Sequence, residues 1–174
     1  NPFINKIKNI NSNKKKIIMS AGRLTKQKNF KMLILAFIKS KLYLEGYKLY
    51  IYGKGKEKNN LNFLIKSQKM NKSVILKGYK KNLSKEYSKA KIFVLSSIYE
   101  GLGNVLIEAL NHGTPCIATN CRSGPNEILL FGKGGYIVPI FDINKLSKVL
   151  KLSIKNYSLS QKKLIYARNE LSRF

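Results

Sequence analysis

Several residue types are absent or scarce in this chain of 174 residues, and each shortage excludes a class of protein. Trp is absent, and no apolar run approaches the ~20 residues that span a bilayer. Two cysteines, Cys116 and Cys121, make neither a disulfide framework nor a common zinc pattern, which indicates reduced thiols in a cytoplasmic protein. A single aspartate, Asp142, excludes an Asp-x-Asp metal motif. The chain also lacks a Gly-x-x-x-x-Gly-Lys-Ser/Thr phosphate loop and any nucleic-acid-binding motif with interleaved aromatics.

Acidic residues are also scarce: 8 stand against 34 basic residues, for a net charge of +26. Two explanations stay open. The charge attracts polyanions such as nucleic acid, anionic lipid or phosphorylated ligands, or it reflects a compositional bias towards Lys, Asn and Ile. In either case a residue that runs against the bias is informative. Only four Arg occur, so Arg23 and the few glutamates are the first candidates for chemistry.

Strand-like and helix-like segments alternate along the chain, which predicts right-handed crossovers and a mostly parallel sheet. We therefore expect an α/β, doubly wound, Rossmann-like sheet of about six strands with helices on both faces. We divide the chain into a linker (1–15), the domain (16–157) and a C-terminal helix (158–174). Strands are predicted over residues 16–21, 47–52, 73–77, 92–96, 115–118 and 136–138. Helices are predicted over residues 30–44, 61–70, 83–90, 103–111, 125–130, 144–152 and 160–171.

Ligands of such sheets bind outside the carboxyl ends of the strands, and the first candidate site follows the first strand. Gly22 allows close approach of the backbone to a ligand, Arg23 offers a bidentate fork to phosphate, and Lys28 adds a point charge. The following helix N-terminus favours anions. A solvated basic loop is the alternative for Lys28. Gly53 and Gly55 fall on the same edge, either as ligand-approaching residues or as ordinary turn residues.

The richest candidate segment follows the fourth strand. Glu100 lies in the loop and Glu108 lies on the next helix, between apolar core positions. Gly101 and Gly103 leave backbone N–H groups free to face an anion at the helix start. A partly buried Glu108 needs donors, which sugar or ribose hydroxyls would supply. The alternative is a glutamate that caps the helix or pairs with a neighbouring Lys.

Two further segments are weighed mainly as structural. His112 is the only histidine and stands at a helix end, where we expect capping rather than catalysis. Residues 123–127, Ser-Gly-Pro-Asn-Glu, open a helix and match a capping arrangement, with ligand contact as the alternative.

Taken together, the motifs resemble those of the C-terminal domain of family-4 glycosyltransferases, which have the GT-B fold. The matching elements are Gly-Arg-Leu-x-x-x-Lys, Tyr-Gly-x-Gly and Glu-Gly-x-Gly-Asn-Val-Leu-Ile-Glu-Ala-Leu-x-x-Gly-x-Pro, in order over about residues 16–152. Asn1-Pro2 resembles the linker that leaves the family's N-terminal domain. One departure is Leu102, where the family usually has Phe.

The resemblance implies a role for each matching residue. Arg23 and Lys28 would grip the donor diphosphate, Glu100 would contact the transferred sugar, and these three would form the catalytic set. Glu108 would hold the ribose hydroxyls. The other expected donor-binding positions are Gly22, Gly53, Gly55, Gly78, Tyr79, Leu83, Gly101, Leu102, Gly103, Asn104 and Val105. The family is retaining and metal-independent, so no cofactor or metal is expected.

The same resemblance implies partners and a location. The donor would be a nucleoside-diphosphate sugar, a UDP-sugar first, carrying a hexose or N-acetylhexosamine. The acceptor would be a glycan or lipid-linked molecule of polysaccharide or lipopolysaccharide synthesis. The family's N-terminal domain is missing here, so we expect donor binding with little or no transfer. The protein is expected in the cytoplasm, with the anionic inner membrane face as a candidate partner and nucleic acid not expected.

Two alternative functions remain. A nucleotide-sugar epimerase shares the fold, although the Gly-Arg-Leu-x-x-x-Lys cluster counts against it. A non-catalytic basic module that binds membrane or nucleic acid would show affinity that falls steeply with salt and does not depend on Glu108.

Overall fold

The computed structural model describes residues 14–171, which form a six-stranded parallel sheet covered by helices on both faces. The strands are β1 (Ile17–Ala21), β2 (Lys48–Tyr52), β3 (Val74–Gly78), β4 (Ile92–Leu95), β5 (Cys116–Thr119) and β6 (Tyr136–Val138). The helices are α1 (Phe30–Ser40), α2 (Lys58–Ser67), α3 (Ser84–Lys89), α4 (Asn104–Asn111), α5 (Pro125–Ile128), α6 (Ile143–Lys155) and α7 (Tyr157–Asn169). Short 3₁₀ turns cover Lys26–Lys28, Leu42–Glu45 and Leu130–Gly132.

The strand order is β3-β2-β1-β4-β5-β6, and every neighbouring pair is parallel. This order confirms the predicted doubly wound, Rossmann-like fold. The chain winds outward from β1 in one direction, and from β4 in the other, so the order reverses between these two central strands. In open parallel sheets this reversal opens a crevice at the carboxyl ends of the strands. The loops after β1 and β4, which carry most of the predicted site residues, therefore lie side by side.

The strands are apolar without alternation because both faces of the sheet are buried. On β4, Ile92 and Val94 belong to one hydrophobic core and Phe93 and Leu95 to the other. Helices α1, α2 and α6 cover the first face, and α3, α4, α5 and α7 cover the second. Fully burying each such side chain contributes about 1.5–3 kcal/mol, so the two cores fix the sheet on which the loops stand.

Several helix bounds differ from the predicted ones. Helix α1 ends at Ser40 because Lys41 adopts a left-handed backbone conformation (φ 58°) and a separate 3₁₀ turn follows. Helix α7 begins at Tyr157 rather than residue 160, capped by the Asn156 side chain. It packs Leu164 and Ala167 into the second core.

The proposed domain division touches the described residues at two places. The linker, residues 1–15, lies outside them except for Lys14 and Lys15. The division at 157/158 stays a prediction. Over residues 14–171, no helix has the length and apolar character needed to cross a membrane.

Lys14 anchors the start of the described chain to the amino end of the sheet. Its Nζ donates to Thr114 Oγ1 (3.1 Å) and Tyr87 O (3.5 Å). Burial lowers the pKa of Lys14 to about 8, and the positive charges of Lys91 and Arg168 act in the same direction. Between pH 8 and the ordinary lysine pKa of about 10.4, the unfolded chain therefore binds more protons at this residue than the folded chain.

Lys14→Met is expected to change the pH dependence of stability with a defined sign. Because the folded-state pKa of Lys14 is depressed, this residue adds stability as the pH rises from about 8 to about 10. The melting temperature of the natural chain relative to Lys14→Met should rise over that window. Thermal melts of both proteins between pH 7 and 10 measure it, with Lys15→Met at the exposed neighbouring position as control. A constant difference across the window would contradict the expectation.

Candidate functional site

The loop after β1 places two of the predicted cations at the carboxyl edge of the sheet. Arg23 is exposed at the start of the loop, and Lys28 is half-buried in the 3₁₀ turn that leads into α1. Asn29 ends this turn with a left-handed backbone (φ 46°), and its side chain accepts from Met32 N at the start of α1. The loop is thus a fixed connection rather than a free basic segment.

The Gly53-Lys54-Gly55 segment packs directly on the loop after β1. A Cβ atom at Gly53 would lie 1.8 Å from Gly22 O, and one at Gly55 would lie 2.4 Å from Leu24 O. Hydrogen bonds from Gly22 N to Tyr52 O and from Leu24 N to Lys54 O, both 2.9 Å, hold the two loops together. The structure thus gives both glycines a packing reason: backbone must lie where a side chain would stand.

The loop after β4 brings Glu100 onto Lys28. Lys28 Nζ and Glu100 Oε1 are 2.5 Å apart, and the two side chains are only 13% and 7% exposed. Ser97 Oγ donates to the same carboxylate oxygen at 2.5 Å. Ser97 is itself held by Thr119 Oγ1, which donates to Ser97 O at 2.5 Å. A shielded ion pair of this kind is oriented by its neighbours as well as by its own charges.

Further contacts fasten the loops after β1 and β4 to each other. Ser96 Oγ donates to Lys28 O (2.8 Å), and Gln27 Nε2 donates to Tyr99 O (2.8 Å). Ile98 N also donates to Gln27 O (2.8 Å). Gln27, Ser96 and Ser97 were not among the predicted site residues. Their signal in the sequence was only their position beside Lys28 and Glu100.

Helix α4 begins directly after the glycine-rich part of this loop. Gly103 occupies the N-cap position with a left-handed backbone (φ 75°), and no side chain caps the helix. Gly101 and Leu102 are exposed in front of it. Gly124 supports the loop from behind, since a Cβ atom there would lie 2.5 Å from Gly101 O. An uncapped helix start behind an exposed loop suits an anionic ligand.

Glu108 lies on the second turn of α4 and is half-buried. Tyr87 OH donates to Glu108 Oε2 at 3.0 Å, so the carboxylate pairs with a hydroxyl rather than with a neighbouring Lys. Burial raises the pKa of Tyr87, and the charge of Glu108 and their hydrogen bond raise it further. Tyr87 is a second residue that the sequence reasoning missed.

A pocket of about 290 Å³ opens between these loops at the carboxyl edge. Of the predicted donor-binding residues, those that line it are Gly22, Arg23, Gly53, Tyr79, Leu83, Val105 and Glu108. Lining residues that were not predicted are Ala21, Tyr52, Lys54, Lys80 and Lys81. Predicted residues outside the pocket wall are Lys28, Gly55, Gly78, Glu100, Gly101, Leu102, Gly103 and Asn104.

The Lys28–Glu100 pair nevertheless borders the pocket. The Cε atom of Lys28 lies 3.1 Å from where a Cβ of Gly22 would stand, and Gly22 is part of the pocket wall. The structure therefore brings Arg23, Lys28, Glu100 and Glu108 to one edge of the sheet, as the sequence predicted. Glu100 contacts Lys28, whereas Arg23 and Glu108 meet across the pocket.

The far wall of the pocket combines aromatic rings with cations. Lys54 Nζ lies 5.3 Å from the centre of the Tyr79 ring. Lys80 Nζ pairs with Glu86 Oε1 at 2.6 Å, and Tyr52 OH donates to Glu86 Oε2 at 3.2 Å. The hydrogen bond from Lys80 lowers the pKa of Glu86, which keeps that carboxylate ionised. The wall is therefore cationic and suits a phosphorylated ligand.

The two segments weighed as structural behave as follows. His112 ends α4, with its Nδ1 2.8 Å from Glu108 O, as expected of a residue at a helix end. The expected capping arrangement at residues 123–127 is wrong: Gly124 is the N-cap of α5, and no side chain caps it. Ser123 Oγ instead donates to Glu100 O at 3.2 Å, so this segment supports the loop after β4.

Thiols and metal ligands complete the inventory of reactive groups. Both cysteines are free and buried, and burial raises the pKa of each. Between residues 14 and 171, no three His, Cys, Asp or Glu side chains are grouped as metal ligands.

Comparison with known proteins places this geometry in a family. The family model of glycosyl transferases group 1 matches residues 3–170. The amylovoran biosynthesis glycosyltransferase AmsD of Erwinia amylovora is 36% identical over 135 residues, covering 78% of this chain and 37% of AmsD. The Campylobacter jejuni N-acetylgalactosamine-N,N'-diacetylbacillosaminyl-diphospho-undecaprenol 4-alpha-N-acetylgalactosaminyltransferase is 35% identical over 146 residues, covering 84% of this chain and 39% of that enzyme.

Solved structures agree with the sequence comparison. The crystal structure of S. aureus TarM in complex with Fondaparinux, alpha-GlcNAc-glycerol and UDP superposes with a TM-score of 0.86 at 26% identity. The match covers 94% of this chain and 34% of TarM. The chain thus spans a little over a third of the length of these relatives. On the sequence match over nearly all its residues, the chain belongs to the glycosyl transferases group 1 family.

Proposed function

We propose that this chain is the part of a glycosyltransferase that binds the nucleotide-sugar donor. The observation that carries the proposal is the pocket at the reversal of strand order, where Arg23 and Glu108 face one cavity. A guanidinium and a carboxylate suit the two ends of a nucleoside diphosphate: its phosphates and its ribose hydroxyls. The neighbouring S. aureus TarM structure contains UDP, which supports a UDP-sugar as the first candidate donor.

The roles follow from the contacts. Arg23 binds the diphosphate at the exposed rim, and the start of α4 adds the positive end of a helix dipole. Lys28 is neutralised by Glu100 in the ligand-free chain. A donor phosphate that takes Lys28 as its partner frees Glu100 to accept hydrogen bonds from the transferred sugar. Because the leaving group is a nucleoside diphosphate, fixed cations at this point stabilise the charge that develops on it.

In the full protein we propose transfer of a hexose or N-acetylhexosamine to a glycan or lipid-linked acceptor. The Campylobacter relative is named for transfer onto a diphospho-undecaprenol-linked glycan, which supports this acceptor class. The proposal includes a retaining, metal-independent reaction, as the family resemblance implies. Since this chain spans little more than a third of its relatives, we expect it to bind donor without appreciable transfer. Rapid turnover by the 174-residue chain alone would contradict this expectation.

The proposed setting is the cytoplasm, with a place on the anionic inner membrane face left as part of the proposal. The net charge of +26 supports contact with anionic lipid at about 1 kcal/mol per basic residue near the surface. Family membership favours the transferase over a nucleotide-sugar epimerase or a basic module without catalysis.

Calorimetric titration with UDP, GDP and ADP tests the proposal. We expect saturable binding of at least one of them, and about tenfold weaker binding by Glu108→Gln, because a hydrogen bond to a charged group contributes about 1.5–3 kcal/mol. Glu127→Gln, at an exposed glutamate outside the pocket, is the matched control and should bind as the natural chain does. Absence of binding for all three nucleotides, with salt-sensitive binding to anionic vesicles instead, would favour the basic module.

A further inference from the structure

The hydroxyl of Tyr87 lies directly beneath the carboxylate of Glu108. Tyr87 is on α3, 1% exposed, and its OH donates to Glu108 Oε2 at 3.0 Å. Glu108 lines the 290 Å³ pocket and also a neighbouring cavity of about 500 Å³, and Tyr87 lines only the second. The tyrosine therefore touches the carboxylate from the side away from the pocket that holds Arg23.

The ring of Tyr87 is held by two other rings. Phe93 of β4 meets it edge-on with centroids 5.6 Å apart, and His112 stacks on it at 5.7 Å. His112 is in turn fixed by its contact with Glu108 O. Packing on both sides leaves the hydroxyl one direction, which is toward Glu108.

The backbone of Tyr87 is anchored as well. Its carbonyl accepts from Thr114 Oγ1 at 2.5 Å and from Lys14 Nζ at 3.5 Å. Burial raises the pKa of Tyr87, so the hydroxyl stays protonated, and remains a donor, at neutral pH. An ionised carboxylate offers about four acceptor sites, so a hydroxyl bound to Oε2 leaves Oε1 able to accept from a ligand.

We propose that Tyr87 is a positioning residue that aims the Glu108 carboxylate at the ribose hydroxyls of the bound nucleotide. This inference rests on the proposed donor-binding function. Outer hydrogen bonds of this kind fix the orientation of a ligand-contacting side chain without touching the ligand. Without the tyrosine hydroxyl, Glu108 is free to turn toward Lys81, a cation that lines the same pocket.

The test compares UDP with 2′,3′-dideoxy-UDP, which lacks both ribose hydroxyls, by calorimetry on the 174-residue chain. The natural chain is expected to prefer UDP by about 30-fold, and Tyr87→Phe by only about fivefold, with binding of the dideoxy nucleotide unchanged. In the Glu108→Gln background, Tyr87→Phe should change the preference no further, because the carboxylate it positions is gone. A purely structural role would instead weaken both nucleotides alike.

Tyr136→Phe is the matched control, because its hydroxyl is paired with Ser160 Oγ at 2.9 Å on β6, outside both cavities. It should keep the natural preference. If Tyr87→Phe does not fold, His112→Ala serves instead, since it removes the stacked ring but keeps the hydroxyl, and a smaller drop in preference is expected. An unchanged preference in the folded variant would overturn the role of Tyr87 while leaving donor binding intact. Failure of the natural chain to bind any nucleoside diphosphate would overturn the proposed function, and this inference with it.

Discussion

Arg23→Ala is expected to weaken binding of UDP by about 30- to 100-fold, equivalent to about 2–3 kcal/mol. The guanidinium is exposed on the wall of the pocket. An arginine there can form two parallel hydrogen bonds to a diphosphate, and charge-assisted pairs are about twice as strong as neutral ones. Calorimetry on the variant measures the loss. Binding of uridine, which has no phosphate, should be unaffected.

Lys26→Ala is the control for this effect. Lys26 is exposed in the same loop, outside the pocket wall, and its removal lowers the net charge by the same amount. If both variants lose affinity equally, the effect is general electrostatic attraction, and Arg23 has no specific contact with the diphosphate. If neither loses affinity, the nucleotide does not use this edge of the sheet.

Gly53→Ala is expected to destabilise the fold by about 3 kcal/mol, at the upper end of what overpacking usually costs. The new Cβ would stand 1.8 Å from Gly22 O and 3.0 Å from Gly22 C, and both are backbone atoms that cannot turn aside. The loops after β1 and β2 would have to separate, which breaks the hydrogen bond from Gly22 N to Tyr52 O. Urea unfolding of the variant and the natural chain measures the change in free energy.

Gly101→Ala provides the comparison. It lies in the loop after β4, with no atom within 4 Å of where its Cβ would stand. We expect it to change the free energy of unfolding by less than about 0.5 kcal/mol, as for most exposed positions. Equal stability of the Gly53 and Gly101 variants would show that the two loops are not in close contact.

These glycines show how far sequence reasoning reached at the site. Their position after β2 predicted that Gly53 and Gly55 lie on the ligand-binding edge, and Gly53 does line the pocket. The sequence left open whether they face a ligand or serve as turn residues. Their packing reason is contact with Gly22 and Leu24, residues more than one strand away in the chain. No local pattern encodes that contact, because it depends on how closely two parallel strands bring their following loops.

The partners of the scarce charged residues show the same limit. Composition singled out Arg23, Glu100 and Glu108, because Arg and acids run against a lysine-rich background. The sequence did not predict that Lys28, 72 residues before Glu100, would form an ion pair with it. Nor did it predict that Tyr87 would hold Glu108. Such pairs form only after the helices have packed, and their geometry is set by loop conformation rather than by spacing.

The sequence by itself determined the alternation of strands and helices, the parallel sheet, and the edge on which the candidate residues lie. Those features follow from local periodicity and from the handedness of crossovers, which every short segment carries. Only the tertiary structure decided which residues share the pocket, which pair with one another, and which glycines exist for packing. These depend on distances of a few ångströms between segments far apart in the chain, fixed by the two cores as they close around the sheet.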